Sequence, residues 1–357
     1  MCTPIRLRVC MAMSSVVLII GGFLTAAIFI GLFRRLALHA QLMDLPVARS
    51  AHSLPTPVGG GLGIVLIYAV IATYLHLINI LPLQEYMALL GGVVIAVVGL
   101  IDDYRHLDIK WRMPLQLLAA IWSVWWLGNV PAIQFGNWLL PESWMLNLLA
   151  IIALIWLLNL YNFMDGIDGI AGCELVFVNA MSLLFVVNAE DQIITLLTAT
   201  LIGSGAGFLV WNWSPARIFL GDVGSGFIGF SLGVLALLSM HHGSMQVWTW
   251  VILLGVFIAD ATVTLCRRFM QGARWYEGHA SHAYQNAARK YQSHAKVTIS
   301  LMLINCLWLA PLAWWSEQSP QLGFYLALAG LAPLVVLAIR GDAGNAKFMS
   351  VQRKAGN

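Results

Sequence analysis

The sequence predicts an all-α, polytopic integral membrane protein with about eleven transmembrane helices, the N-terminus periplasmic and the C-terminus cytoplasmic. Three observations lead there. Of 357 residues, 60% are hydrophobic and only 10% charged, against roughly 45–50% and 25% in soluble domains, and the mean hydropathy is +0.82. The apolar residues stand in continuous runs suited to the ~20 residues a bilayer span needs. This excludes disorder, whose composition is the opposite, and a membrane barrel, whose strands alternate, so no strands are expected. The loops between the runs differ in charge, alternating between basic and acidic. A net charge of +3 is too slight to point to nucleic acid.

The first run, 14–33, follows Arg6 and Arg8 as a signal peptide would. It is too long for an apolar signal region and ends at Arg34-Arg35 without a small-residue cleavage site, so it reads as a helix. The second, 59–79, is entered through Pro55, Pro57 and three glycines, and the third, 86–101, closes on Asp102-Asp103. The others lie at roughly 113–128, 144–161, 170–188, 192–210, 224–240, 246–265, 297–315 and 321–339. All but two of the 19 Lys and Arg residues fall on one set of loops and the C-terminal tail. The opposite loops carry Glu85, Glu142, Glu190, Asp191 and Glu317 with no Lys or Arg. The positive-inside rule therefore assigns the basic set to the cytoplasm. The five cysteines show neither CxxC nor metal spacing and read as free thiols. A single integral domain spanning 1–357 is the simplest organisation.

On this map the acids gather at the cytoplasmic face: Asp44, Asp102, Asp103, Asp108, Asp165, Asp168, Asp222 and Glu277. Glu174 and Asp260 lie near the ends of apolar runs. A carboxylate inside the membrane costs about 2.5–3.5 kcal/mol on insertion scales, so such acids need a reason. Five segments supply candidates. In GLIDDYRHLDIKWR, Asp102 and Asp103 repel unless a cation stands between them, while Lys110 and Arg112 are either phosphate ligands or topology-setting charges. In NLYNFMDGIDGIAG, Asn159, Asn162, Asp165 and Asp168 recur every third residue, so consecutive members share a helix face. The glycine-rich Gly221–Gly226 turn opens a helix, whose N-terminus suits an anion; its lone Asp222 suits Mg²⁺ holding phosphate oxygens. The basic loop around Arg267–Lys290 carries His279 and His282, and no completing set makes them zinc ligands. Arg49 and His52, ahead of the second helix, are candidate phosphate contacts. Together these features describe a Mg²⁺–diphosphate site at a lipid interface, where phosphoryl transfer needs metal, cations and positioning.

The segments HSLPTPVGGG, GLIDDYRHLDIK, NLYNFMDGIDGIAG, FLGDVGSGFIGF and RR…GHASHAYQ, over about residues 44–290, resemble the polyprenyl-phosphate N-acetylhexosamine-1-phosphate transferases (glycosyltransferase family 4). The HASHAYQ loop looks like the branch that starts O-antigen synthesis and departs from the three consecutive histidines of the peptidoglycan-precursor branch. The resemblance implies ten or eleven helices in the bacterial inner membrane, a cytoplasmic site, Mg²⁺ (or Mn²⁺), undecaprenyl phosphate as acceptor and a UDP-N-acetyl sugar as donor. It leaves room for a homodimer. Carried over by motif, Asp102 and Asp103 match an Asp pair whose proposed role is general base toward the lipid phosphate. Asp222 matches a metal ligand and Asn162 an amide that joins it. Asp165, Asp168, Asn212 and Phe219 match positions lining the nucleotide pocket, Phe219 as a stacking ring. His282 matches a histidine contacting the donor diphosphate, with His279 beside it; Asn159, Arg49, His52 and Lys110 complete the expected substrate contacts. The rival class, a lipid-linked sugar flippase, would show repeats or helices broken at the midplane instead.

Overall fold

The computed structural model describes residues 4–41, 43–44, 55–105, 107–272 and 280–345, the first seven as backbone alone. Each expected apolar run is helical. In chain order the helices are α1 (Pro4–His39), α2 (Gly61–Leu77), α3 (Leu83–Arg105), α4 (Ile109–Leu127), α5 (Trp144–Met164), α6 (Ile170–Asn188), α7 (Gln192–Asn212), α8 (Asp222–His241), α9 (Val247–Leu253), α10 (Gly255–Met270), α11 (Ala283–Tyr291), α12 (His294–Ile304), α13 (Ala310–Gln318) and α14 (Gly323–Arg340). Among the described residues eight helices are long and apolar enough to cross a bilayer, and nine if a bent pair counts as one span. The 17 residues of α2 reach about 25 Å at ~1.5 Å each, short of a ~30 Å hydrocarbon layer. The multi-pass membrane class is thus evident in the fold.

Helix α8 is buried along nearly its whole length, from Val223 to Ser239, as a helix apolar all round must be. It packs between α3 and α5. These three helices carry Asp222, Asp102 and Asn162 at neighbouring ends, so the packing of the core positions the site.

The structure corrects the sequence reading in four places. The run expected as one helix over 246–265 is α9 and α10, bent by 76°. The bend falls at Leu254-Gly255, where a Cβ on Gly255 would stand 3.2 Å from Leu309. The run expected at 297–315 contains a π-turn, Asn305–Leu309. It precedes Pro311, whose missing N–H and bulky ring disturb the α-helical hydrogen-bond ladder. The basic loop contains α11, a short helix with no apolar run to announce it. Two short antiparallel ladders also form where no strands were expected: β1 (Met43–Asp44) with β2 (Thr56–Pro57), and β3 (Ile133–Phe135) with β4 (Trp138–Leu140).

At the end of the bundle opposite Asp102 and Asp222, His242 is held between two carboxylates. Its Nδ1 lies 2.9 Å from Asp191 Oδ2 and its Nε2 3.0 Å from Glu85 Oε1. Ser244 donates to the same Asp191 oxygen at 2.7 Å, and Asp191 Oδ1 caps α7 through Ile194 N–H. The cluster pins the ends of α3, α7 and α8. The Asp191 and Glu85 contacts push His242 from 6.5 up to about 10, against the effect of burial. Burial raises Asp191, but the bonds from His242 and Ser244 outweigh it and hold that carboxyl below its ordinary 3.8. The fold thus favours the charged form of both groups. Their stabilisation is present above the unfolded aspartate value, near pH 4, and below the unfolded histidine value, 6.5. It fades as pH rises from there toward 10. His242→Gln is expected to cost about 1 kcal/mol after solvent screening. In thermal unfolding followed by tryptophan fluorescence, wild type and variant should differ most near pH 5–6 and converge above pH 10. A difference that grows with pH contradicts this account.

Candidate active site

The Gly-Asp turn is built by its neighbours. Gly221 adopts φ 78°, a left-handed conformation that favours glycine, and a Cβ there would lie 2.6 Å from Asp103 Oδ2. The Pro-Gly entry to α2 docks against the same turn. Phe219 N–H donates to Pro57 O (2.8 Å), Gly60 N–H to Phe219 O (2.8 Å) and Gly61 N–H to Leu220 O (2.9 Å). Two segments far apart in sequence thereby become one surface, with the half-buried Phe219 between them.

The adjacent aspartates at the end of α3 serve different partners. Asp103 Oδ1 accepts from Asp222 N–H at 2.7 Å and Oδ2 from Val223 N–H at 3.2 Å. These are first-turn N–H groups of α8 with no partner inside the helix, so Asp103 caps α8 from another helix and meets the positive end of its dipole. Asp102, buried, accepts from Leu107 N–H at 2.7 Å and from Arg112 Nη1 at 2.5 Å. That same guanidinium nitrogen lies 3.3 Å from Asp222 Oδ2. Asn162 Nδ2 donates to Asp222 Oδ1 at 2.7 Å and to Ser225 Oγ at 3.1 Å. Asp102, Arg112, Gln116, Asn159, Asn162 and Asp222 line one small cavity, whose other wall is apolar through Ile95, Val98 and Leu158.

Asn159 and Asn162 share a face of α5, where Asn159 Nδ2 donates to Gln116 Oε1 at 3.1 Å. The three-residue periodicity does not extend to Asp165 and Asp168. Helix α5 ends at Met164 and Gly169 takes φ 77° ahead of α6, so both acids lie on a turn. Burial, then the charges of Asp222, Asp103 and Asp168, push Asp165 well above the usual carboxylate range. Burial also raises Asp168, but the His294 contact and the N–H of Ala216 outweigh it and hold that group low. His294 Nδ1 is 3.2 Å away and Ala216 N–H donates at 3.2 Å. Asn212 ties this turn to the next loop, accepting from Gly169 N–H and donating to Ile218 O, both at 3.0 Å.

His282 sits at the N-terminus of α11, oriented by Asp260. Its Nδ1 donates to Asp260 Oδ1 at 3.2 Å, while Ala283 and Tyr284 N–H donate to the same carboxylate at 3.0 and 2.9 Å. Tyr284 Oη donates to Phe163 O at 2.9 Å, which fixes α11 against the end of α5 and sets the His282 ring 6.2 Å from that of Phe163. Lys110 does not line the cavity and is held in an exposed pair with Asp108 at 2.7 Å. Arg49, His52 and His279 lie outside the described residues.

Sequence reasoning left Arg112 undecided and passed over Gln116, Ser225 and His294. The signal for Gln116 and Ser225 was polarity within an apolar helix. His294 gave none, because its partner lies 126 positions away.

The donor chemistry fits a hard divalent cation. Asp102 and Asp222 each place a carboxylate oxygen on the same cationic nitrogen, so they already form a seat for one positive centre. Mg²⁺ is commonly held by one or two carboxylates plus substrate phosphates. Among the described residues no group of three His, Cys, Asp or Glu side chains is placed to hold a metal ion.

The family model described as glycosyl transferase family 4 matches residues 86–240. A "probable undecaprenyl-phosphate N-acetylglucosaminyl 1-phosphate transferase" of Bacillus subtilis is 28% identical over 294 residues, 81% of each chain. A phospho-N-acetylmuramoyl-pentapeptide-transferase of a Synechococcus species is 27% identical over 272 residues, 71% of this chain and 73% of that protein. One from Moorella thermoacetica is 32% identical over 159 residues, 40% of this chain and 50% of that protein.

Proposed function

We propose that the chain is a transferase of the glycosyl transferase family 4 type and that it moves an N-acetylhexosamine 1-phosphate from a UDP-sugar to undecaprenyl phosphate. The products are a diphosphate-linked lipid and UMP. The observation that carries this reading is the junction of Asp102, Arg112, Asn162 and Asp222 in one cavity, with the Asp165–Asp168 turn and His282 close by. The molecule works as one integral domain of the bacterial inner membrane. The positive-inside rule favours the cytoplasm for this end, where the basic loops lie and UDP-sugars are made.

Two anions must meet in this reaction, so charge screening matters more than a strong base. A phosphate monoester is already largely ionised at pH 7, its second pKa being about 6. Asp222 and Asp102 would hold Mg²⁺, which when bound would supply Lewis-acid polarisation of the diphosphate. Asn162 holds the Asp222 carboxylate in place, and Asp103 holds the helix end that presents it. Arg112 and His282 offer positive charge or N–H donors to the phosphates, and Phe219 offers a ring to the uracil. A lipid phosphate oxygen attacks the β-phosphorus, a new P–O bond forms, and the bond to the bridging oxygen breaks so that UMP carries that oxygen away. The apolar wall of Ile95, Val98 and Leu158 suits the first prenyl units of the acceptor.

The HASHAYQ loop and the 81% coverage of the Bacillus relative favour an N-acetylhexosamine donor without a peptide, with the product entering O-antigen or related surface-glycan synthesis. The test is turnover of radiolabelled UDP-N-acetylhexosamines with undecaprenyl phosphate in purified membranes. Stoichiometric UMP and a labelled lipid are expected. Consumption of UDP-N-acetylmuramoyl-pentapeptide alone moves the chain to the peptidoglycan-precursor branch. Lipid movement without UMP release makes it a flippase instead.

A further inference from the structure

Arg112 is paired in an unusual way. A guanidinium committed to a carboxylate usually grips it with two parallel N–H bonds. Here a single nitrogen, Nη1, serves two carboxylates, at 2.5 Å from Asp102 and 3.3 Å from Asp222. Its buried Nε has no hydrogen-bond acceptor among the described residues. The side chain is one-quarter exposed at the cavity, and it springs from the first turn of α4 rather than from the packed core. It therefore occupies the two-carboxylate seat as a charge, without the geometry of a permanent structural bridge.

We propose that Arg112 is a built-in counter-ion which holds the Asp102–Asp222 seat in the empty enzyme, gives it up to the divalent cation, and turns its guanidinium to the donor phosphates. This rests on the Mg²⁺-dependent transferase reading above. Two carboxylates this close to one nitrogen repel each other unless a cation stands between them. Arginine fills that role at every working pH because it does not lose its proton. A divalent ion in the same seat is repelled by the guanidinium, so the two cannot share it. Once displaced, the guanidinium has its fork free for phosphate oxygens, which match its spacing. In the empty enzyme Arg112 thus competes with metal; in the loaded one it binds substrate.

The consequence is an inverted mutational response: removing a positive charge tightens binding of a cation. Purified protein in detergent, without substrates, is titrated with Mn²⁺ while free Mn²⁺ is followed by electron paramagnetic resonance. Arg112→Gln is expected to bind Mn²⁺ about tenfold more tightly than wild type, or better. Arg112→Lys, which keeps the charge, should fall between them. Metal-free Arg112→Gln should melt lower than wild type and gain more on Mn²⁺ addition, a readout that also identifies a variant that has merely misfolded. With UDP-sugar present, the same variant should show a raised donor KM. Equal or weaker Mn²⁺ binding in a folded Arg112→Gln, with binding lost in Asp222→Ala, overturns the exchange and leaves the transferase reading intact. No Mn²⁺ binding in any of the proteins overturns both the exchange and the metal seat.

Discussion

Asp222→Ala is expected to lower kcat by about 10³-fold or more while the protein still inserts and folds, because the proposed mechanism makes this carboxylate a ligand rather than a structural group. The separation follows from the cap. The first N–H groups of α8 are satisfied by Asp103, not by the side chain of Asp222. Truncating Asp222 therefore leaves the helix end intact while removing the side-chain contacts to Asn162, Arg112 and Asp102. Asp222→Asn keeps the size and one acceptor oxygen but loses the charge, so it should fail nearly as badly. A Mg²⁺ titration of UMP release should show residual activity that no longer responds to metal. Near wild-type turnover with ordinary Mg²⁺ dependence in Asp222→Ala removes the metal assignment.

The helical class was legible because lipid allows no polar backbone to go unpaired, so each span declares itself as a continuous apolar run. What interrupts a span is less visible. The 76° break at Leu254 lies in a run with no proline, and its Gly255 makes room for Leu309, a contact known only once α10 and the π-turn are packed together. Helix α11 depends on Asp260, whose carboxylate caps it from α10 across more than twenty positions. The described parts of the five polar segments lie toward one end of the bundle, as their common side of the charge map implies. Their internal assignments were not. Asn159 and Asn162 share a helix face as their spacing implies, whereas Asp165 and Asp168 leave it because α5 ends at Met164 and both acids fall on the turn before α6. Arg112 was equally consistent with topology and with phosphate binding, since charge alone does not say which carboxylates it will face.

The aspartate pair is where adjacency in sequence misleads most, and a paired experiment is expected to separate its members. Neighbouring residues on a helix point about 100° apart, so Asp102 and Asp103 cannot share one task. Asp102 enters the cavity against Arg112. Asp102→Asn should cut kcat by about 10²–10⁴-fold with little change in donor KM, whether the carboxylate acts on the acceptor as base or with the metal as ligand. The amide still accepts from Leu107 N–H, so the melting temperature should move little. Asp103 faces away, onto the α8 N-terminus. Asp103→Ala strips two N–H groups and a dipole of their carboxylate, costing about 1–2 kcal/mol. It should lower both the melting temperature and the Mn²⁺ affinity, because the helix end that presents Asp222 is loosened. Asp103→Asn keeps one acceptor and should recover part of both losses, which a base or ligand role at position 103 does not predict. Identical behaviour of the two positions, with kcat lost and melting temperature and metal affinity unchanged in Asp103→Ala, makes Asp103 a second catalytic carboxylate and removes its role as the cap that holds Asp222 in place.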